Sequence, residues 1–412
     1  MKYIYSLGIW FYGLAILIAG LFNDKAKRWK EGRRNYFNVL RNALQNNQSP
    51  IAWFHCASLG EFEQGRPVME AFRQKHPEYK VLLTFFSPSG YDAAKEYKGA
   101  DYILYLPLDT YSNAKRFVST VKPSVAVFVK YEFWFNYLQQ LKNRNIPVYL
   151  VSAKFRADQH FFKWYGGWFR KWLKVYVKIF VQDADSEKLL AGIGVKNVEV
   201  SGDTRFDRVI AIAEQAKGNE MIEAFKGSSK LLICGSTWQE DEEAILSAFN
   251  NIRQSGKDLK LLLVPHEIGE KHVKQLVEQF RAVKYTSSSV DNVTKADVLV
   301  VDTMGMLSSL YRYGDIAYVG GGFGNDGVHN LPEAAVYGIP VVFGPVYHKY
   351  SEAIELLKLH GGFTISSEEE LQKQLKRLLG DEQYCKWCGA AAKAYIYSGQ
   401  GATARIIESL KL

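Results

Sequence analysis

At 412 residues the chain is long enough for two domains, each with its own core. With 47% hydrophobic and 23% charged residues and no low-complexity tract, its composition is that of a globular protein and excludes a disordered or fibrous one. A net charge of +9 and 14% aromatic residues suit sugars, a membrane surface and anionic partners such as phospholipid headgroups, phosphorylated glycolipids or nucleotides. No helix-turn-helix, zinc-finger or RNP-like string is present, which argues against nucleic acid. Of the four cysteines, Cys56 and Cys234 lie in apolar, strand-like runs. Cys385 and Cys388 form one C-x-x-C without the second pair a zinc site needs, so all four read as core residues in a reducing compartment.

Residues 4–22, IYSLGIWFYGLAILIAGLF, run for roughly nineteen positions without a charge, near the length a bilayer core requires. Lys25, Lys27, Arg28, Lys30, Arg33 and Arg34 follow, and the positive-inside rule keeps them and the rest of the chain cytoplasmic. A secretory signal would carry its charge before the apolar run. Glycine, serine and several aromatics leave open whether the segment spans the bilayer or lies in the interface. Either way, residues 1–24 read as a membrane anchor.

Residues 50–57, PIAWFHCA, read as a strand, followed by Ser58-Leu59-Gly60-Glu61-Phe62 and a helix through Phe72. A turn with serine, glycine and a carboxylate after the first strand of an α/β domain is a natural site position. Glu61 could act there as a general base, or simply decorate the helix N-terminus. Further strands at 79–86, 102–107, 124–130, 147–152, 180–182 and 198–201 alternate with helices, which predicts a parallel sheet over a domain spanning 25–210. The fourth strand ends in Lys130-Tyr131-Glu132-Phe133-Trp134. Residues 155–178 mix aromatics with Lys and Arg, as a helical surface facing lipid headgroups or an amphipathic helix packed on the sheet.

Residues 211–229 read as a polar, helical linker to a second α/β domain, 230–390. Its first strand runs into Gly235-Ser236-Thr237, where amides and hydroxyls could hold a phosphate; no Lys follows, so it is not a P-loop. A strand at 259–265 precedes His266-Glu267, and one at 298–303 precedes Met304-Gly305-Met306-Leu307. Strand 315–319 then enters a glycine run, Gly320, Gly321, Gly322 and Gly324. His329-Asn330 leads into Leu331-Pro332-Glu333, a helix start suited to an anion, and 339–343 is again a strand. This is one unit of an open α/β sheet, read as a nucleotide pocket in which Glu333 binds a ribose; the alternative is a plain turn and a first-turn carboxylate. The spacing is not G-x-G-x-x-G with an acid about twenty residues on, so a nicotinamide site is poorly supported.

Taken in order, HCASLGE, FFSPSG, YLPLD, KYEFWFN, IPVYLVSAKF, GDTRFD, CGSTWQEDEE, VPHE, DTMGML and HNLPE…FGP resemble the lipopolysaccharide Kdo (3-deoxy-D-manno-octulosonic acid) transferases over nearly the whole chain. The resemblance implies an α/β fold of the GT-B type, two Rossmann-like domains around a cleft, with residues 391–412 a helix returning to the first domain. It implies transfer of Kdo from CMP-Kdo to a lipid A precursor at the cytoplasmic face of the inner membrane. Carried over by motif, Glu61 of Ser58-x-Gly60-Glu61 is the general base. Pro265 and His266 stand in the CMP-contacting VP-Arg-His element, Met304, Gly305, Met306 and Leu307 in Met-Gly-Glu-Leu, and His329, Asn330, Leu331, Pro332 and Glu333, with Gly322 before them, in His-Asn-Pro-Leu-Glu. Where the family has Glu-Thr-Glu-Leu-Trp-Pro, this chain has Lys130 in place of the first Glu, which assists the transition state, and keeps the second as Glu132. The family lysine before Phe-Asp is Arg205, which keeps the charge but changes its geometry. An acceptor hydroxyl would attack the anomeric carbon while Glu61 takes its proton. The charge developing on CMP would meet Ser236, Thr237, amides near Gly305 and the helix beginning near Asn330. No metal or other cofactor is expected, and the reaction inverts at the anomeric centre. Competing readings are another GT-B enzyme using a UDP-sugar and a membrane-tethered, non-catalytic nucleotide- or glycolipid-binding protein.

Overall fold

The computed structural model describes residues 2–325 and 327–411; residues 1 and 412, the outer ends of the expected anchor and last helix, lie outside the described residues, as does 326. The chain forms two compact units, residues 1–207 with 401–412, and residues 208–400. The first holds seven strands, β1 (Ile51–Cys56), β2 (Lys80–Phe85), β3 (Tyr102–Tyr105), β4 (Val125–Val129), β5 (Val148–Ala153), β6 (Lys178–Val181) and β7 (Val198–Val200). They form one parallel sheet in the order β3-β2-β1-β4-β5-β6-β7. The second unit repeats the plan with β8 (Lys230–Thr237), β9 (Leu259–Pro265), β10 (Val283–Lys284), β11 (Val298–Val300), β12 (Ile316–Val319), β13 (Val341–Phe343) and β14 (Gly362–Thr364). Its order is β10-β11-β9-β8-β12-β13-β14, again parallel throughout.

The strands are apolar without alternation because helices cover both faces of each sheet. Period-2 geometry then divides each strand between two cores. From β1 and β4, Ile51, Trp53, Ala126 and Phe128 face one core, where the Trp53 ring lies 4.8 Å from Phe117 and 5.0 Å from Phe128. Ala52, Phe54, Cys56, Val125, Val127 and Val129 face the other. Ile406, Ile407 and Leu410 complete this second core, because the last helix, Ala402–Ser409, belongs to the first unit. Asp207 anchors that helix: Gly401 N and Thr403 N donate to its two oxygens, each at 2.6 Å. Arg405 clamps the Ser201 carbonyl at 2.7 and 2.9 Å.

Several expected boundaries move. The stretch expected as a helical connection, 211–229, holds the end of helix Thr204–Gln215 and helix Glu220–Lys226, while the units part at 207 and 400 rather than at 210 and 390. The aromatic segment 155–178 is not one helix but a 3-10 turn, His160–Phe162, and a short helix, Gly167–Leu173. Its rings pack on the loop after β4, with Phe161 4.7 Å from Phe133 and Trp168 4.5 Å from Phe135.

The N-terminal segment forms α1 (Lys2–Ala19), bent by 117° from α2 (Asp24–Glu31), and α3 (Tyr36–Leu44) follows. Among the described residues no single helix is long and apolar enough to cross a membrane. One face of α1 docks on the first unit. The Tyr5 ring lies 4.7 Å from Phe135, Tyr12 stacks on Phe86 at 6.1 Å, and a Cβ at Gly13 would stand 2.6 Å from Leu108. The opposite face exposes Tyr3, Leu7, Trp10, Phe11, Leu14 and Ile18, and the turn beyond it Leu21 and Phe22.

Asp109 carries the docking. It is fully buried and accepts from Tyr5 Oη at 2.6 Å, Asn136 N at 3.0 Å and Tyr137 N at 3.0 Å. Burial pushes its carboxyl up to about 7 from an ordinary 3.8, against the pull of those three donors. Between these values the folded chain holds a proton the unfolded chain has lost, so this group makes stability fall as pH rises from about 4 to about 7. Unfolding titrations across that range are expected to show the slope in the parent and to lose it in Asp109→Asn. Tyr5→Phe should lower the unfolding free energy by about 1–3 kcal/mol, the worth of a hydrogen bond to a carboxylate.

Candidate functional site

In an open parallel sheet, side chains for chemistry gather where the strand order reverses. That point lies between β1 and β4 in the first unit and between β8 and β12 in the second.

After β1 the chain enters α4 (Leu59–Lys75) through a capping box. Ser58 N donates to Glu61 Oε2 at 3.1 Å, and Ser58 Oγ donates to the same oxygen. Glu61 Oε1 makes no hydrogen bond among the described residues. A Cβ at Gly60 would meet nothing nearer than Ser58 Oγ at 3.9 Å, so the glycine leaves the approach to this turn open. Glu61 thus caps the helix through one oxygen and leaves the other without a hydrogen bond among the described residues.

After β4, Lys130 adopts a left-handed φ of +67°. A non-glycine residue there is strained, as strand ends at functional sites often are. Its ammonium lies 5.5 Å from the Tyr131 ring centroid and within the field of Asp203. Burial would raise the Asp203 carboxyl, but Arg205 and then Lys130 hold it below its ordinary value. Arg205 grips Asp203 through Nη2 at 2.7 Å and Nε at 3.0 Å. The charge reversal at 130 thus falls beside an acid that sequence reasoning missed.

Glu132 is 7% exposed and sits in a buried network. Its Oε2 lies 3.1 Å from His55 Nε2 and accepts from Trp134 Nε1, and its carbonyl accepts from Tyr176 Oη at 2.7 Å. His55 Nδ1 lies 3.0 Å from the Thr84 carbonyl. Glu132 therefore shapes the loop after β4 while lining a cavity of about 570 Å³ with Tyr131, Phe133, Arg156 and His160.

In the second unit Asp241, 1% exposed, ties the strand ends together. Its Oδ2 accepts from Trp238 N and Gly321 N, both at 2.9 Å, and its Oδ1 from Tyr318 Oη at 2.6 Å. The glycine run is a packing requirement as well as a turn. A Cβ at Gly320 would stand 2.4 Å from the Ser236 carbonyl, one at Gly321 (φ +89°) 2.7 Å from His329 Cδ2, and one at Gly322 2.6 Å from Gly344. His329 is thereby laid over the glycine backbone. Trp238 Nε1 donates to His329 Nε2 at 2.9 Å, and the His266 ring covers both partners, 4.5 Å from each. Pro265 ends β9 and delivers His266 beside this pair.

Ser236 is left-handed at φ +53°, the counterpart of Lys130 in the first sheet. Thr237 is buried and donates to Glu242 Oε1 at 3.0 Å, so its hydroxyl is committed. Helix Gln239–Gln254 opens with Glu240, Asp241 and Glu242, so acids of the chain itself occupy that N-terminus. The helix expected after Asn330 is a single turn, Pro332–Ala335, preceded by a buried Leu331, and its dipole is correspondingly small. Asn330 Nδ2 donates to Glu333 Oε1 at 2.7 Å, while Asn330 Oδ1 is buried without a hydrogen-bond partner among the described residues. Met304 is exposed, Gly305 is left-handed at φ +82° with open space around it, and Met306 Sδ accepts from Thr303 Oγ1 before the helix that starts at Leu307. Trp238 and Asp241 were missed as site residues although both lie in CGSTWQEDEE; their spacing, N-cap and third helical position, was the available signal.

Comparisons with known proteins bear on the family and the fold. A family model described as 3-Deoxy-D-manno-octulosonic-acid transferase (kdotransferase) matches residues 27–208. The 3-deoxy-D-manno-octulosonic acid transferase of Aquifex aeolicus is 32% identical over 361 residues, covering 85% of this chain and 93% of that protein. That of Haemophilus influenzae is 26% identical over 407 residues, covering 97% and 95%. Among solved structures, UDP-GlcNAc 2-epimerase from Neisseria meningitidis bound to UDP-GlcNAc superposes with a TM-score of 0.61 at 16% identity, covering 88% of this chain and 99% of that one. Acinetobacter baumannii MurG superposes at 0.56 and 12%, covering 87% and 98%. At those identities the likeness is one of fold, the α/β GT-B type with two Rossmann-like sheets. The matches in sequence, carried over most of the chain's length, go further: the chain belongs to the 3-deoxy-D-manno-octulosonic acid transferase family and is a glycosyltransferase.

Proposed function

We propose that the protein transfers Kdo from CMP-Kdo to a hydroxyl of a lipid A precursor, with inversion, and that Glu61 is the base. The observation that carries this reading is the Glu61 carboxylate at the reversal point of the first sheet, fixed through Oε2 and open at Oε1. The acceptor oxygen forms its bond to the anomeric carbon as the bond from that carbon to the CMP oxygen breaks. Glu61 Oε1 takes the hydroxyl proton, and CMP leaves with the electron pair. The donor belongs to the second unit, where Ser236, the glycine-run backbone and the His266–His329–Trp238 group stand at the strand ends. In this reading those donors, rather than a metal ion, meet the charge on the leaving phosphate. Glu132 and Arg205 act by position, through His55 and Trp134 and through Asp203.

The same reading places the protein on the cytoplasmic face of the inner membrane. α1 lies in the interface plane, its docked face on the first unit and its exposed apolar face toward lipid.

Glu61→Gln should lower kcat for acceptor-dependent CMP release from CMP-Kdo by about 10²–10⁴-fold, with donor binding retained. CMP release by the parent that does not require a tetraacylated lipid A precursor would sink the acceptor assignment. Trp238→Phe keeps a ring against His266 but removes the N–H from His329. It should raise KM for CMP-Kdo about three- to tenfold and leave kcat within about twofold, as initial rates would report.

A further inference from the structure

A second polar cavity, of about 500 Å³, opens in the first unit where α1, α2 and α3 meet the chain after β3. It shares no residue with the groups at the strand ends, and β3 is the edge strand, two places from β1. Lys30, Arg33 and Arg116 line it, and among the described residues no Asp or Glu does. Three of the five N–H groups of Arg33 donate to backbone carbonyls, to Phe86 at 2.7 Å, Leu106 at 2.9 Å and Trp29 at 3.0 Å. Its guanidinium lies 3.9 Å from the Trp29 ring, 4.7 Å from Tyr105 and 5.0 Å from Phe86. Arg116 covers Phe37 at 4.1 Å. Burial lowers Arg33 to about 9, opposed by tyrosines alone. This is a cation enclosed by aromatic rings and backbone carbonyls, with no acidic group lining the cavity among the described residues.

Two further donors point to what the cavity takes. Trp29 Nε1 and Tyr36 Oη belong to residues only 9% and 6% exposed, both line the cavity, and neither has a hydrogen-bond partner among the described residues. Buried donors are rarely left unpaired, and here two of them accompany three cations. Leu17 of α1 completes the lining, one helical position from exposed Ile18 and a turn from exposed Leu14 and Leu21.

We propose that this cavity binds the phosphate group of a lipid, with Lys30, Arg33 and Arg116 meeting its charge and Trp29 and Tyr36 donating to its oxygens. The lipid source of the phosphate rests on the interfacial reading of α1; the cavity's preference for an anion does not.

The test uses the full chain in neutral detergent and follows binding of dihexanoylphosphatidic acid and of inorganic phosphate by calorimetry. The short-chain lipid should bind more tightly than inorganic phosphate. Replacing Arg33 would disturb three backbone contacts, so the informative variants are Lys30→Gln and Arg116→Gln, both at exposed positions, and Tyr36→Phe. Each lost charge should weaken binding about fivefold. Two further arms separate the sources. If the phosphate is that of a bilayer headgroup, the charge variants lose co-sedimentation with phosphatidylglycerol vesicles and keep the parent KM for the acceptor. If it is the acceptor's own, that KM rises and vesicle binding stays. Either result supports the site. Absence of binding in the parent, equal affinity for inorganic phosphate, or unchanged affinity in the charge variants would overturn it. The calorimetric and co-sedimentation readouts do not depend on Kdo transfer, so their failure leaves that reading standing, and the reverse.

Discussion

A parallel sheet covered on both faces excludes water, and with it most polar chemistry, from everywhere except its strand ends. In each unit this constraint sends the useful side chains to one rim. There, backbone N–H and C=O groups no longer have a ladder partner and must be met by something else. The chain meets them with carboxylates. Asp109 takes the first amides of the helix after β4, Asp241 the glycine run together with the start of helix Gln239–Gln254, and the partly buried Asp207 those of the last helix. Asp109 and Asp241 are removed from water, a cost offset by the three donors that converge on each. The site loops are therefore held by charge-assisted bonds, whose geometry is stricter than that of apolar packing.

The two units solve the same problem differently. In the first, the rim carries titratable groups: Glu61, one oxygen unbonded among the described residues beside the uncrowded Gly60, and Lys130 in strained backbone. In the second it carries close backbone packing and stacked rings, with glycines at 320–322 drawn against Ser236, His329 and Gly344. The first arrangement suits moving a proton, and the second suits holding a planar, charged ligand against main-chain amides. This division follows from side-chain volume at the strand ends.

Much of this was legible in the residues. Unbroken apolar strands such as IAWFHC and LLLVP announce sheets buried on both faces, and Ser58 followed three residues later by Glu61 announces a capped helix. What stayed hidden depends on partners far away in sequence. Glu132 is a network hub because His55, 77 positions earlier, comes to rest on it. The first unit ends at 207 because Asp207 caps a helix that begins at Ala402. Strands β10 and β14, two and three residues long, are too short to leave a periodic signal, and the tight turn after Asn330 looked like a longer helix because Pro332 and the alanines suit either.

The return of the last helix sets an order on synthesis. Tyr149 of β5 exchanges hydrogen bonds with Lys411, at 2.8 and 2.9 Å, and the core face of Phe54 and Val127 is closed by Ile406, Ile407 and Leu410. All of these partners follow the second unit in the sequence and so emerge from the ribosome after it. The first unit, although begun first, stays unfinished until residues 401–411 have been made, and by then the second has every one of its strands. A nascent chain of this protein thus carries an uncovered apolar sheet face throughout the synthesis of the second unit. Sealing that face is a late step of folding, and it is helix Ala402–Ser409 that closes the part of the molecule bearing Glu61.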